Sequence, residues 1–305
     1  MDKHPPPKQA LAQVADPPST LHEAINQLTK KVGAKRISVG FYDYDRGMYW
    51  QHDGTSLYQA ASTIKVPILI ALFAEIQKGR FTLDSPVPVR NNFESLADGS
   101  SYSIPQEEGS NAFVHDAIGE NLPLRALATA MITTSSNLAT NVIIDAVGVD
   151  QIKADINRLN IPGIDFERRI GDDKASNKGI NNRISGEGLI RLFRLIADGQ
   201  AVSATASGQM MELFLKWRLP SNIKTGLPTA IQTKAHIGSK VGYTSSVSHE
   251  IAIIGIPGRK PYVLAVLTEW PSGQGTDQTI SKVSRLIYDV FIQETCYKKT
   301  TVPKD

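Results

Sequence analysis

Ser62-Thr63-Ile64-Lys65 places a hydroxyl and an amine three residues apart, so on a helix the two share a face. A lysine that is partly buried, or set near another cation, can give up its proton and act as a base. It would then activate the serine as a nucleophile. A helix N-terminus beside the serine favours the negative charge that develops in acyl transfer. The tetrad alone is weak, because about one Ser-x-x-Lys arises by chance in a chain of this length. Ser221-Asn222-Ile223-Lys224 is such a second copy. It follows Pro220 and leads into no apolar helix, so it reads as a surface loop. The plain alternative for Ser62 is a helix N-cap.

Two further clusters lie downstream. Ser135-Ser136-Asn137 interrupts two helical stretches and puts a hydroxyl and an amide on a short turn. A serine there could pass a proton to a leaving group, and the amide could bind a carbonyl. The plain alternative is a Ser/Asn-rich helix junction. Lys240-Val241-Gly242 precedes strand-like sequence and is expected at a sheet edge. A lysine there could hold a carboxylate and help keep Lys65 neutral, while the glycine admits a close backbone approach. Lys224-Thr225-Gly226 is a literal Lys-Thr-Gly, but it reads as a polar loop with no strand behind it.

The elements that would position these groups follow from periodicity. Leu21–Val32 reads as a helix ending at Gly33. Ile37, Val39 and Phe41 alternate with Ser38, Gly40 and Tyr42, the period of a strand. Asp45-Arg46-Gly47 is a turn signal, with Met48–His52 as the returning arm. About 150 residues of mainly helical pattern follow. Val66–Ile76 is apolar on nearly every face and predicts a buried helix. Leu124–Ile132, Leu138–Val147 (stopping at Gly148) and Leu189–Ile196 (stopping at Gly199) are helical. Ile251–Ile256 and Tyr262–Leu267 predict a buried hairpin. A last helix carries Ile280, Val283, Ile287, Val290 and Phe291 on one face. Strands at both ends with helices between imply a discontinuous α/β domain with a helical insertion.

Composition narrows the chemistry. Of 305 residues, 41% are hydrophobic and 21% charged, enough apolar chain for a sizeable core. A net charge of +3 does not point to nucleic acid or to a membrane surface. The single cysteine, Cys296, has no partner for a disulfide or a redox pair, and it is expected to be inert. Six scattered histidines form no HExxH or ligand cluster, so no metal and no cofactor are expected. No apolar run reaches the roughly 18 residues of a membrane span. Residues 1–19 hold five of the 17 prolines and read as a disordered arm. They lack the apolar core of a signal peptide.

Ser-x-x-Lys, Ser-x-Asn and Lys-x-Gly, in that order, are the motif set of active-site-serine β-lactamases and penicillin-binding proteins. From about Thr20 to Thr295 the chain resembles the class A β-lactamase group. The likeness includes Asn137-Leu138-Ala139-Thr140-Asn141, the segment Gly242-Tyr243-Thr244-Ser245-Ser246-Val247-Ser248-His249-Glu250, and the hairpin Ile251–Leu267. The resemblance implies Ser62 as nucleophile, Lys65 as its general base and Ser135 as proton relay to the leaving nitrogen. Asn137 would bind the substrate amide carbonyl and Lys240 the substrate carboxylate. The backbone N–H groups of Ser62 and Tyr243 would form the oxyanion hole. Gly242, Tyr243 and Thr244 would line the substrate.

Three departures from that pattern matter. Val241 replaces the hydroxyl residue of Lys-Thr-Gly, a loss for which Thr244 or Ser245 could compensate. Ser136 replaces the aspartate of Ser-Asp-Asn. The Glu-x-x-Leu-Asn segment that supplies the deacylation base in class A enzymes is absent, and no glutamate lies between Glu167 and Glu187. Glu167, Asp172 and Asp173 are the carboxylates that could substitute, against the plainer reading of solvated loop charges or partners of Arg168 and Arg169.

The fold expected is α/β (α+β), β-lactamase/transpeptidase-like. A mainly antiparallel sheet carries the N- and C-terminal helices and receives an all-helical insertion. Residues 20–60 and 205–296 would form the α/β part, 61–204 the helical part and 297–305 a tail, with the active site in the groove between the two parts. The activity expected is opening of β-lactam amides through acyl-Ser62, with slow deacylation. A D-alanyl-D-alanine peptidase or esterase with the same nucleophile is the alternative, and a non-hydrolytic binder on the scaffold a third. The partner expected is a small molecule, a β-lactam or a peptidoglycan-like peptide, acting on a monomer. The resemblance implies a periplasmic or secreted protein, although no export signal is visible.

Overall fold

The computed structural model describes residues 19–106, 112–271 and 278–293. The N-terminal arm, the tail and Cys296 lie outside the described residues. In chain order, the elements that bear on the site begin with α1 (Ser19–Val32), β1 (Arg36–Asp43), β2 (Met48–His52) and α2 (Lys65–Gln77). They continue with α3 (Leu124–Thr133), α4 (Asn137–Val147), α5 (Asn222–Gly226), β3 (His236–Tyr243), β4 (Val247–Gly255), β5 (Tyr262–Glu269) and α6 (Gln278–Ile287). Two compact units result. One takes the described residues up to Thr63, Ser185–Arg194 and those from Pro220 on; the other is Ile64–Ile184 with Leu195–Leu219.

The first unit is built on a five-stranded antiparallel sheet in the order β3-β4-β5-β1-β2. Ile37, Val39 and Phe41 of β1 meet Leu21 and Ile25 of α1 and Ile280, Val283 and Ile287 of α6 in one core. Phe41 stacks on Phe291, with ring centroids 4.8 Å apart. The alternation in β1 predicts one wet face, yet Ile37 to Asp43 are all buried. Gly40 shows why. A Cβ there would fall 2.7 Å from Ile190 Cγ1, so the small residue admits a packed helix rather than water.

The segment after Pro220 corrects the surface-loop reading. Ser221 caps α5 by accepting from Lys224 N–H, and Ile223 is fully buried. A Cβ on Gly226 would lie 2.2 Å from Ser281 O, so α5 presses its last turn against α6. The capping serine, followed by only one apolar residue, carries too little periodicity to announce so short a helix.

The second unit is helical around α2, whose Lys65 to Phe73 and Glu75 are all buried. It also holds short antiparallel pairs: Pro86–Pro88 with Asn121–Pro123, Phe93–Glu94 with Ser101–Tyr102, and Ile164–Asp165 with Arg183–Ile184. At two or three residues each, these are too short to show an alternating pattern, so the all-helical expectation missed them. Among the described residues, no helix is long and apolar enough to cross a membrane.

Candidate active site

The chain passes from one unit to the other between Thr63 and Ile64, inside the first motif. Ser62 lies half-buried in a single 3-10 turn, Ala61–Ile64, that runs straight into α2. It is not the cap of that helix. The cap position falls to Ile64, which makes no side-chain cap bond. Ala61, just before Ser62, holds φ 45, a left-handed conformation that costs a non-glycine residue energy and collects at functional sites.

Lys65 opens α2 and is fully buried. Its Nζ donates to Ser135 O (2.5 Å), Asn137 Oδ1 (2.7 Å) and Ser135 Oγ (3.1 Å). The first two partners can only accept. The hydroxyl can donate or accept, so this shell serves an ammonium or, after one hydroxyl rotation, a neutral amine. Ser135 is held at φ 60 in the turn between α3 and α4, again a strained position. Ser136, where the family has an aspartate, caps α4 by accepting from Ala139 N–H (3.1 Å). Its structural task is met without a carboxylate.

Lys240 sits on β3, at the edge of the sheet. Its side chain is buried, and Nζ donates to Val241 O at 2.7 Å. Gly242 backs onto the Ser62 turn: a Cβ there would stand 2.8 Å from Ser62 N and 2.9 Å from Thr63 N. Only glycine lets the strand come this close to those amides. Tyr243, next along, is 73% exposed, and Thr244 beside it is also exposed. The literal Lys224-Thr225-Gly226 lies within α5, with Lys224 pointing to solvent.

Each candidate carboxylate on the 166–180 loop has its own surroundings. Glu167, half-exposed, pairs with Lys153 at 2.8 Å. Asp173 is exposed. Asp172 is buried and accepts from Ser95 Oγ (2.6 Å), Leu96 N (2.8 Å) and Ala175 N (3.0 Å). Burial pushes its carboxyl up, but those bonds and the Arg168 charge outweigh it and hold it below the usual carboxylate range. His249, fully buried, bonds Gln59 O through Nε2 (2.8 Å) and accepts Thr268 N–H at Nδ1 (3.2 Å). Burial lowers it to about 4, so it is a neutral structural ring.

The sequence matches the family described as the β-lactamase enzyme family over residues 20–291. The chain belongs to that family. A β-lactamase of Rhodobacter capsulatus is 26% identical over 269 residues, which cover 83% of this chain and 82% of the relative. β-Lactamase PSE-4 of Pseudomonas aeruginosa is 23% identical, with 85% and 86% covered. Among solved structures, PBP-A superposes with a TM-score of 0.76 at 24% identity, covering 91% of this chain and 98% of that one. An ancestral class A β-lactamase gives 0.74 at 20% identity, covering 89% and 100%. The mixed helix and antiparallel-sheet fold is therefore that of class A β-lactamases, and the protein is a β-lactamase-like serine hydrolase.

Two buried polar residues of this β-lactamase-family chain were not singled out by the sequence. Asn141 stands one turn beyond Asn137 on α4. Its amide accepts from Ile170 N and donates to Ile170 O, both at 2.9 Å, clasping the loop at an apolar residue. The i, i+4 asparagine pair was the available signal. Glu250 is fully buried in β4, and a charged residue just ahead of the apolar run Ile251–Ile254 was the corresponding hint.

Proposed function

We propose that the protein opens β-lactam amides through an ester on Ser62 and releases that ester slowly. Ser62 Oγ attacks the lactam carbonyl while Lys65 takes its proton. The C–N bond breaks as Ser135 delivers a proton to the leaving nitrogen. Asn137 binds the substrate amide carbonyl, Lys240 the carboxylate, and the N–H groups of Ser62 and Tyr243 the oxyanion. Gly242, Tyr243 and Thr244 flank the bound substrate. The observation that carries this reading is the buried Lys65 bonded to both Ser135 and Asn137. The approach of Gly242 to the Ser62 amide supports the oxyanion role. A point mutant of PBP-A is described as an acyl-enzyme complex with penicillin G, which is chemistry of the kind proposed for this chain.

The loop supports slow release. Asp172 is committed to three donors and Glu167 to Lys153, which leaves neither placed as an uncommitted base for water. The test is a time course with a fluorescent penicillin, read by mass spectrometry. The expected result is an adduct that forms on wild type, is absent from Ser62→Ala, and persists for many minutes. Rapid appearance and loss would instead mark an efficient β-lactamase. An ester-only substrate range would mark an esterase. No adduct on wild type would sink the reading.

A further inference from the structure

Glu250 lies in the middle of β4 with no exposed surface. One carboxylate oxygen accepts from Ser221 Oγ (2.6 Å) and Ser239 Oγ (2.7 Å). The other accepts from Asn222 N (2.9 Å) and Ile223 N (3.0 Å). Burial pushes the carboxyl above its usual range against the pull of these four donors. Burying a carboxylate is costly even when it is well bonded, and an aliphatic residue would serve packing alone. Its location suggests what the cost is for. Glu250 faces Val241 across the ladder, and Ser239 and Val241 flank Lys240. β3 is an edge strand with β4 as its one neighbour. The Ser239–Glu250 bond is therefore a second attachment, through side chains, beside Lys240. At its far end the clamp is anchored. Ser281 and Ser284 of α6 donate to Asn222 O (2.9 Å) and Ile223 O (2.8 Å), tying α5 to α6.

We propose that Glu250 is a positioning residue: acting through Ser239, it fixes the edge strand so that Lys240 meets a substrate carboxylate in one place. The second Ser-x-x-Lys of the sequence thereby gains a task, since Ser221 and the α5 amides hold the carboxylate from the other side. This role rests on the hydrolase reading given above.

The test compares acylation by penicillin G with acylation by its methyl ester, which lacks the carboxylate. Half-saturating concentration and limiting rate are measured for wild type, Ser239→Ala, Glu250→Gln and Ser221→Ala, alongside each melting temperature. Ser239→Ala should raise the half-saturating concentration of penicillin G about five- to tenfold, as expected for one lost hydrogen bond. Its limiting rate, and its kinetics with the ester, should stay within about twofold. Glu250→Gln should fall between wild type and Ser239→Ala. Its amide oxygen can serve the two N–H groups while the serine hydroxyls rotate to accept from its NH₂. Ser221→Ala should lower the melting temperature but leave the acid-to-ester ratio unchanged. A Ser239→Ala variant that changes acid and ester alike, or neither, overturns the positioning role while leaving the hydrolase reading intact. A wild type that neither compound acylates defeats the hydrolase reading, and the positioning role falls with it.

Discussion

Lys240 and Lys224 each stand two residues before a glycine, and burial separates them. Lys240 is enclosed on the sheet edge, whereas Lys224 faces water. A charged hydrogen bond to a substrate carboxylate contributes roughly 1.5–3 kcal/mol. Lys240→Ala should therefore raise the penicillin concentration needed for half-maximal acylation about 10- to 100-fold, and Lys224→Ala should not. Reversed effects would make the literal Lys-Thr-Gly the working motif. Gly242 offers a sharper test of the oxyanion assignment. A methyl group at 2.8 Å from Ser62 N must push the strand or the turn aside. Gly242→Ala should cut the limiting acylation rate about 10²–10³-fold, the range for loss of one oxyanion donor, with the fold intact by circular dichroism. A near-normal rate would place the oxyanion donors elsewhere. These residues were readable as motifs because the roles proposed for them, nucleophile, base and carboxylate anchor, draw on few residue types. Ala61 and Ser135 in left-handed conformations were not readable, since neither residue type signals a positive φ.

At the scale of elements, the 166–180 loop is tied down from several directions. The hairpin around Phe93–Tyr102 holds it through Asp172, through Lys174 to Asp98 and Ser100, and through Lys178 to Ala97 O. Asn182 binds the backbone of Glu167 and Arg168, and Asn141 clasps Ile170. Asp172→Ala removes a helix cap and strands two backbone donors, so it should destabilise the protein by about 3 kcal/mol in urea unfolding. Glu167→Gln and Asp173→Asn should leave the adduct lifetime within about twofold; a large change in either would identify a substitute base. Under the proposed slow release, the clasp marks a position at which to supply a base. Ile170 is the loop residue pinned one helical turn from Asn137, so Ile170→Glu should bring a carboxylate toward the acyl-enzyme. General-base catalysis is worth about 10²–10⁴-fold. Even imperfect placement should shorten the adduct lifetime at least tenfold without slowing its formation. An unchanged lifetime would show that the clasped position does not face the ester. None of these ties is local in sequence, which is why the loop read only as a run of charges.

At the scale of the whole molecule, the long apolar helices, the late hairpin and the sheet edge at Lys240 were legible, because each is announced by its own periodicity. The α5 helix, the short strand pairs and the Glu250 clamp were not, because partners distant in sequence create them. His249 links one such buried group to global stability. Its folded pKa of about 4 lies below the ordinary 6.5, so the unfolded chain takes up a proton first as pH falls. Its contribution is complete above about pH 6.5 and declines toward pH 4, by about 3 kcal/mol in all. Urea unfolding from pH 7.5 to 4 should show that decline in wild type and a shallower one in His249→Gln. Equal slopes would mean the ring is not held neutral. The sheet order has a consequence for biosynthesis. β1 leaves the ribosome early, yet one of its two ladder partners is β5, the last strand of the sheet. Until translation nears its end, β1 and β2 can form only a hairpin whose β1 edge is also open. The helical unit, complete by Leu219, can be made in full before that sheet closes. Folding on the ribosome should then be limited by long-range strand pairing, and Ser62 acquires its Gly242 neighbour only after most of the chain has been synthesised.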